Sequence, residues 1–199
     1  MPVIAHKERE LARPEIHKVN GVAQREQVYR FWYDTYVAEM RRSVKDADHE
    51  RRRLTDSLED HSTIFAAYEG PAILGTIRVN LSSMGSLSYY DELYGLDACK
   101  PDRDPVAIAT KFMVKSRYRG TPLGYELASA GLAECVRGSA VAVYMDCNEY
   151  LFGYFSTLGF ECVRSAVHPE FGSVRVMKYD LSDPERRRGF LGTDPRAGS

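Results

Sequence analysis

The chain has 199 residues, of which 44% are hydrophobic and 28% are charged, a composition typical of a globular protein with a substantial core. Its formal net charge of -1 argues against nonspecific attraction to nucleic acid, so no DNA partner is expected. No stretch approaches the roughly 20 apolar residues that span a bilayer, and the first residues lack the apolar core of a signal peptide. We therefore expect a cytoplasmic protein without a membrane partner.

The amino-terminal half predicts a strand, a helix and a two-stranded meander. Glu69-Gly70-Pro71 is a strong turn signal between the two meander strands. Residues 81–105, which contain Ser, Gly, Asp and Pro, indicate an irregular insertion of a length that is often functional. The predicted strands and helix occupy residues 15–19, 21–42, 62–68 and 72–79.

The carboxy-terminal half alternates between predicted strands and helices. No linker or internal repeat divides the chain, so residues 1–182 are predicted as one α/β domain and residues 183–199 as a mobile tail. Strands are expected at residues 108–114, 140–146, 160–166 and 173–179, and helices at residues 122–137 and 149–157.

Cysteine and histidine show no metal-binding pattern. Cys99, Cys135, Cys147 and Cys162 lack Cys-x-x-Cys spacing, which indicates neither a metal site nor a disulfide framework. Cys147 is expected to be a half-buried thiol rather than an acyl-enzyme nucleophile. His168 precedes Pro169 in a predicted polar turn, so we expect it to be exposed to solvent.

A short turn, Arg119-Gly120-Thr121-Pro122-Leu123-Gly124, joins the strand at 108–114 to the helix that follows it. The amide groups and the dipole of a helix N-terminus attract phosphate or another anion, and Gly120 allows the backbone to approach closely. An ordinary strand-to-helix turn would carry the same residues, so this turn alone leaves both interpretations open.

A second motif, Asn148 to Phe160, follows the strand at 140–146 and ends in Leu158-Gly159-Phe160 after an aromatic pair. In this order, the two motifs resemble the donor-binding half of the GNAT superfamily of N-acyltransferases over residues 106–180. The resemblance implies a mixed, mostly antiparallel sheet of about seven strands, flanked by helices, in which two central parallel strands splay apart.

In such a fold, the acyl donor lies in the gap between the splayed strands. Its phosphopantetheine arm would bond to a strand edge, and its phosphates would meet the turn at the helix N-terminus. No metal is implied. The residues implied in donor binding are Phe112, Met113, Val114, Arg119, Gly120, Thr121, Leu123 and Gly124.

The amino-terminal half resembles one branch of the superfamily, the N-acyl amino acid synthases and autoinducer synthases. The resemblance covers residues 29–40, 58–60 and 74–79. It implies acyl donors on carrier proteins as well as on coenzyme A. Ile108 stands where the autoinducer synthases have a glutamate, which disfavours an autoinducer synthase proper.

Two residues depart from the GNAT pattern. Phe155 replaces the tyrosine that protonates the leaving thiolate in many members, and Pro122 replaces a glycine whose N–H helps to hold the coenzyme A pyrophosphate. We therefore predict an N-acyltransferase whose acyl or aminoacyl donor is tethered to an acyl carrier protein or to tRNA. An ordinary acyl-CoA-dependent N-acyltransferase and a catalytically inactive GNAT binding domain are the alternatives.

The predicted catalytic residues are Asp146, Asn148, Tyr154 and Lys111. Asp146 would be the general base at the end of its strand, or else a helix cap. Lys111 and Arg78 would stabilise an oxyanion or bind an acidic acceptor, or else form a surface ion pair.

The acceptor is predicted to be a small-molecule amine. The first helix, the insertion and the last two strands would build its pocket, with Trp32, Tyr33 and Tyr36 as an aromatic lining that could equally be core packing. Monomer and homodimer are both compatible with the sequence. A basic segment would either be solvated or dock an acidic carrier protein or tRNA; it contains Arg41, Arg42, Lys45, Arg51, Arg52 and Arg53.

Overall fold

The computed structural model describes residues 14–96 and 103–191. A π-helical segment, Asp34–Glu39, extends the first helix, so the predicted helix changes its winding there. Gly70 has a φ of +57° in the turn of the meander, as the turn signal predicted. The amino-terminal elements are β1 (Glu15–Lys18), α1 (Gly21–Tyr33), β2 (Ala47–Asp48), β3 (Arg53–Leu54), β4 (Ser62–Glu69), β5 (Ala72–Leu81) and α2 (Tyr90–Tyr94).

The carboxy-terminal elements are β6 (Val106–Val114), α3 (Leu123–Arg137), β7 (Ala142–Cys147), α4 (Phe152–Thr157), β8 (Glu161–His168), β9 (Gly172–Asp180) and α5 (Pro184–Leu191). The helix α5 begins inside the segment that was predicted as a mobile tail, and its Arg186 guanidinium lies 5.6 Å from the centre of the Tyr179 ring. Residues 1–13, Cys99 and residues 192–199 lie outside the described residues. The predicted domain limits thus remain predictions.

Seven strands form one sheet in the order β1-β4-β5-β6-β7-β9-β8. The central neighbours β6 and β7 are parallel, and the other neighbours are antiparallel. The β6–β7 pairing runs from Val106 opposite Ala142 to Ile108 opposite Tyr144, and the two strands then diverge. The predicted mixed sheet with splayed central strands is confirmed.

A β-bulge in β6 accompanies this divergence. The pairing of β6 with β5 shifts there, because Thr76 faces Met113 whereas Arg78 faces Thr110. Lys111, in the extra stretch of β6, has a φ of +50°. A bulge bends its strand and increases the local twist. We attribute the turn of β6 away from β7 to this bulge.

Side chains from β5 and α1 hold the bulge in place. The Thr76 hydroxyl donates to the Lys111 carbonyl at 2.9 Å, and the Trp32 indole N–H donates to the Thr76 oxygen at 2.9 Å. The Arg78 Nε donates to the Thr110 hydroxyl oxygen at 2.9 Å. The bulge is therefore fixed by buried hydrogen bonds on the side of β5.

Helices cover both faces of the sheet. On one face, Leu127 of α3 packs in a core cluster with Ile77. On the other face, Trp32 of α1 packs with Ile64, and Tyr94 of α2 belongs to a further buried cluster. Because side chains alternate between the two faces along a strand, α1 and α2 lie on the face opposite α3.

Replacing Gly75 by alanine should destabilise the fold. A Cβ at Gly75 would lie 2.8 Å from Leu127 Cδ1 and 2.8 Å from the Met113 carbonyl oxygen, which is backbone and cannot swing aside. Overpacking of this kind costs about 1–3 kcal/mol, and urea unfolding should show a lower midpoint. Gly153→Ala is the matched control, since a Cβ there meets nothing within 4 Å. Equal losses in both variants would contradict the close approach at Gly75.

Candidate functional site

The divergence of β6 and β7 opens a cavity of about 490 Å³. A cavity of this size can enclose a small-molecule ligand. The π-helical segment, the insertion and the β8–β9 turn all reach its wall. Its lining includes Tyr36, Asp56, Tyr89, Tyr90, Lys111, Phe112, Met113, Met145, Asp146, Asn148 and Phe171.

The predicted donor-binding edge forms one side of the cavity. Phe112 and Met113 line it, and Val114 ends the strand. The Val114 carbonyl accepts a hydrogen bond from Arg119 Nε at 3.0 Å, and a terminal nitrogen of Arg119 lies 2.8 Å from a Glu39 carboxylate oxygen. Arg119 thus ties the predicted phosphate turn to the strand edge and to the π-helical segment.

Gly120, Thr121 and Pro122 determine the conformation of the predicted phosphate turn. Gly120 has a φ of +80°, a region that favours glycine. The Thr121 hydroxyl donates to the Tyr118 carbonyl at 2.7 Å, while the Leu123 N–H donates weakly to the Thr121 oxygen at 3.4 Å. Pro122, with a φ of -58°, precedes α3 and supplies no N–H to an anion.

Tyr154 and Phe155 point in different directions. Phe155 is buried, with its ring 5.8 Å from that of Phe112, and it lines the cavity. The Tyr154 hydroxyl lies over the first turn of α3, so close that a Cβ on Gly124 would come within 2.7 Å of it. Burial raises the pKa of Tyr154. The hydroxyl predicted to be catalytic therefore lies beside the predicted phosphate turn.

Arg78 is fully buried and does not line the cavity, so its position fits neither the predicted contact with substrate nor the alternative of a surface ion pair. Its guanidinium donates to both carboxylate oxygens of Asp56, at 2.6 and 2.9 Å, and to Glu59. Burial opposes the ionisation of Asp56, but Arg78 outweighs it and lowers the pKa of Asp56 to about 2. Burial raises the pKa of Glu59. Arg78 therefore lies behind the cavity wall and fixes Asp56, which lines it.

Lys111 reaches from the bulge into the base of the cavity. Its Nζ lies 3.5 Å from a carboxylate oxygen of Asp56, and its side chain is 10% exposed. The same nitrogen lies 5.3 Å from the centre of the Tyr36 ring. Burial, followed by the charge of Arg78, lowers the pKa of Lys111. Lys111 therefore lies in the cavity wall and not in a surface ion pair.

Asp146 faces the cavity at the end of β7. Its Oδ1 accepts a hydrogen bond from the Tyr94 hydroxyl at 2.5 Å. The short 3₁₀ helix that follows, Glu149–Leu151, has Asn148 at its N-cap position and no side-chain cap. The contact of Asp146 is therefore with the insertion, not with the helix that it was alternatively predicted to cap.

Two of the three aromatic residues predicted to bind substrate lie in the core instead. Trp32 is fully buried, and the Tyr33 hydroxyl bonds to His49 Nδ1 at 2.9 Å. Tyr36 does line the cavity, stacked on Phe171 with 5.8 Å between ring centres. Burial raises the pKa of Tyr36 to about 12. Of the three predicted aromatic residues, Tyr36 alone lines the cavity, and its contact with substrate stays a prediction.

An aromatic cluster beside the cavity was missed by the sequence reasoning. His168, which was expected in solvent, is 1% exposed. The Tyr89 hydroxyl lies 3.0 Å from His168 Nε2, and Phe171 stacks on the imidazole at 4.2 Å. Burial lowers the pKa of His168, so the ring is neutral at pH 7. The aromatic pair Tyr89 and Tyr90 in the insertion was the one local signal for this cluster.

The remaining chemical groups add little to the site. Burial raises the pKa of Cys147 to about 11, so this thiol stays protonated at neutral pH. Within residues 14–96 and 103–191, no three His, Cys, Asp or Glu side chains are grouped as metal ligands. In the same part of the chain, no helix has both the length and the apolar character needed to cross a membrane.

Neither a protein-family model nor a curated protein matches this sequence, but solved structures do. FeeM, an N-acyl amino acid synthase from uncultured soil microbes, has a TM-score of 0.68 at 14% identity over 86% of this chain and 92% of its own. BjaI, a CoA-dependent acyl-homoserine lactone synthase whose structure contains SAM and isopentyl-CoA, has a TM-score of 0.67 at 18% identity. The match covers 89% of this chain and 87% of BjaI. ElaA from Escherichia coli has a TM-score of 0.60 at 17% identity, and the match covers 84% of this chain and 99% of ElaA.

The chain has the GNAT fold. This finding confirms the fold that the two sequence motifs predicted. At identities this low the likeness is one of fold, and a fold does not fix an activity.

Replacing Arg78 by methionine should destabilise the fold strongly at neutral pH. The variant leaves Asp56 and Glu59 buried without their guanidinium, and breaking a buried pair costs about 3–5 kcal/mol. In the wild type, the lowered pKa of Asp56 stabilises the fold above the ordinary value of about 3.9, and this contribution is lost as the pH falls toward about 2. The variant lacks that contribution at every pH, so its deficit should shrink in acid.

Urea unfolding at pH 7 and pH 3 measures both effects of the Arg78 substitution. Arg117→Met is the matched control, because Arg117 is 63% exposed where it meets Glu69 and surface pairs contribute little. A deficit of Arg78→Met that is equal at both pH values would contradict the role of the buried pair.

Proposed function

We propose that this protein is an N-acyltransferase that moves an acyl or aminoacyl group from an activated donor to a small-molecule amine. The observation that carries the proposal is the stretch of β6 beyond Ile108, which has left β7 and borders a cavity that also contains Asp146. A free strand edge can pair with the amides of a pantetheine arm as it would with another strand. The GNAT fold and the acyltransferase neighbours support the same reaction class.

In this proposal, the two central strands divide the chemistry. Asp146 on β7 accepts a proton from the incoming ammonium, and the neutral amine then attacks the acyl carbon. Lys111 on β6 stabilises the negative charge that develops on the carbonyl oxygen. The new C–N bond forms as the bond to the donor sulfur or oxygen breaks. Asn148 and Tyr154 offer hydrogen-bond donors to the departing sulfur or oxygen. The nitrogen gives its second proton to that departing group, and Asp146 releases the first proton to solvent.

The donor in our proposal is tethered to a carrier. Pro122 supplies no N–H at the first turn of α3, and Glu39 already pairs with Arg119 beside it. Both features weaken a site for the diphosphate of free coenzyme A. Arg42 and Lys45 line the cavity as well, where they would face an acidic carrier protein or tRNA. Free acyl-CoA is the alternative, since the structural neighbours BjaI and MesI are CoA-dependent synthases.

The acceptor in our proposal is a small amine with a planar or apolar part. Tyr36, Tyr89 and Tyr90 supply aromatic wall to the cavity. Stacking against such rings favours flat or apolar groups. Lys111 and Arg42, which both reach the same cavity, would favour an acceptor that also carries a negative charge.

A donor panel tests the reaction class. Acetyl-CoA, long-chain acyl-CoA, acylated carrier protein and aminoacyl-tRNA are each offered with a pool of primary amines, and products are detected by mass. We expect an amide product with a carrier-borne donor, and Asp146→Asn should lower kcat by roughly 10²- to 10⁴-fold. Asp180→Asn, at the surface end of β9, is the matched control. Full activity of Asp146→Asn would refute the assigned base, and the absence of product from every donor would refute the function.

Replacing Pro122 by alanine should strengthen the binding of free coenzyme A. Alanine accepts the φ of -58° found there and restores one N–H at the anion site. A hydrogen bond to a charged group is worth about 1.5–3 kcal/mol, so Kd should fall by about one to two orders of magnitude. Calorimetric titration with coenzyme A measures this change. Pro71→Ala, in the β4–β5 turn, should leave Kd unchanged, and an unchanged Kd in Pro122→Ala would overturn the explanation.

A further inference from the structure

We propose that Tyr94 of the insertion is the positioning residue for the Asp146 carboxylate. The inference rests on the proposed function, in which Asp146 is the base. Tyr94 is the last residue of α2, and its hydroxyl donates to Asp146 Oδ1 at 2.5 Å. Because this bond engages one carboxylate oxygen, the other oxygen can receive the proton of the amine. Tyr94 acts through Asp146 and needs no contact with the substrate.

The Tyr94 ring is held firmly enough to orient its partner. The side chain is buried, with the residue 2% exposed, and its ring centre lies 5.3 Å from that of Tyr90. Tyr90 in turn stacks on Tyr89 at 4.2 Å, and Tyr89 bonds to His168. This aromatic row connects the insertion to β8. Because the Tyr94 ring is fixed by this packing, its hydroxyl can bond to the Asp146 carboxylate in one orientation only.

The surroundings of Asp146 make this hydrogen bond matter. Burial raises the pKa values of the facing tyrosines and of Cys147 and lowers that of His168, so all of these groups are uncharged at pH 7. The hydroxyl of Tyr94 donates directly to the Asp146 carboxylate at 2.5 Å, while the cations of the same cavity lining are Arg42, Lys45 and Lys111. The uncharged titratable groups around Asp146 are Tyr36, Tyr89, Tyr90, Tyr94, Cys147 and His168. The charged groups of the same cavity lining are Arg42, Lys45, Asp46, Asp56, Lys111 and Glu170.

The test is the pH dependence of turnover in Tyr94→Phe, using the donor and amine identified by the panel. Loss of the hydroxyl should lower kcat about tenfold at neutral pH and move the acid limb of the profile up by about one pH unit, with KM for the amine changed less. A fall in kcat that is equal at every pH, with an unmoved limb, would show a merely structural role and overturn the inference. Tyr68→Phe is the matched control, since its buried hydroxyl lacks a partner within the described residues.

A second substitution covers the case in which Tyr94→Phe folds poorly. Incorporation of 3-fluorotyrosine at position 94 keeps the ring and makes the hydroxyl a stronger donor, so the acid limb should move in the opposite direction, toward lower pH. An unmoved limb would again overturn the inference. Asp146→Asn distinguishes a failure of the assigned base from a failure of the positioning role. If it retains full activity, the assigned base fails; if it is inactive while both Tyr94 variants keep the wild-type limb, the positioning role alone fails.

Discussion

The bulge at Lys111 is the constraint on which the site depends. One strand edge must be freed in the middle of a sheet, although unpaired backbone groups are costly to bury. The extra residue in β6 bends the strand away from β7 after Ile108 and turns the Lys111 side chain into the opening. The hydrogen bond from Thr76 to the Lys111 carbonyl and that from Arg78 to Thr110 keep the bulge at this position. The cavity, the free strand edge and the position of the Lys111 ammonium group thus all depend on the bulge.

Trp32 and Arg78 support this arrangement from behind. Trp32 bonds to the same Thr76 oxygen whose hydroxyl holds the bulge, and Arg78 anchors Asp56, the carboxylate next to Lys111. A buried guanidinium needs several acceptors to offset its desolvation, and here Asp56, Glu59 and the Thr110 hydroxyl provide them. Both residues were predicted to bind substrate. Their contacts indicate instead that Trp32 and Arg78 hold in place other groups, which border the cavity.

Local patterns in the sequence predicted the fold because the two GNAT motifs carry their strand, turn and helix order within short segments. Lys111 was predicted as part of the site, but its bulge was not, since a register shift depends on β5 and leaves no mark in the β6 sequence. The position of His168 was wrong for a related reason. Pro169 indicated an exposed turn, whereas Tyr89, distant in sequence, covers the imidazole. Asp56 and Tyr94 likewise reach the site only through tertiary contacts.

The charges of the cavity are arranged by strand. Lys111 and its partner Asp56 lie at the bulge of β6, whereas the Asp146 carboxylate lies at the end of β7 with a neutral donor, Tyr94. If Lys111 were paired with Asp146 instead, its positive charge would favour the ionised carboxylate and make Asp146 a weaker base. Asp56, held ionised by Arg78, engages the lysine and so leaves Asp146 available to accept a proton. The buried ion pair of Arg78 and Asp56 thereby keeps the lysine at β6 apart from the proton-accepting carboxylate at β7.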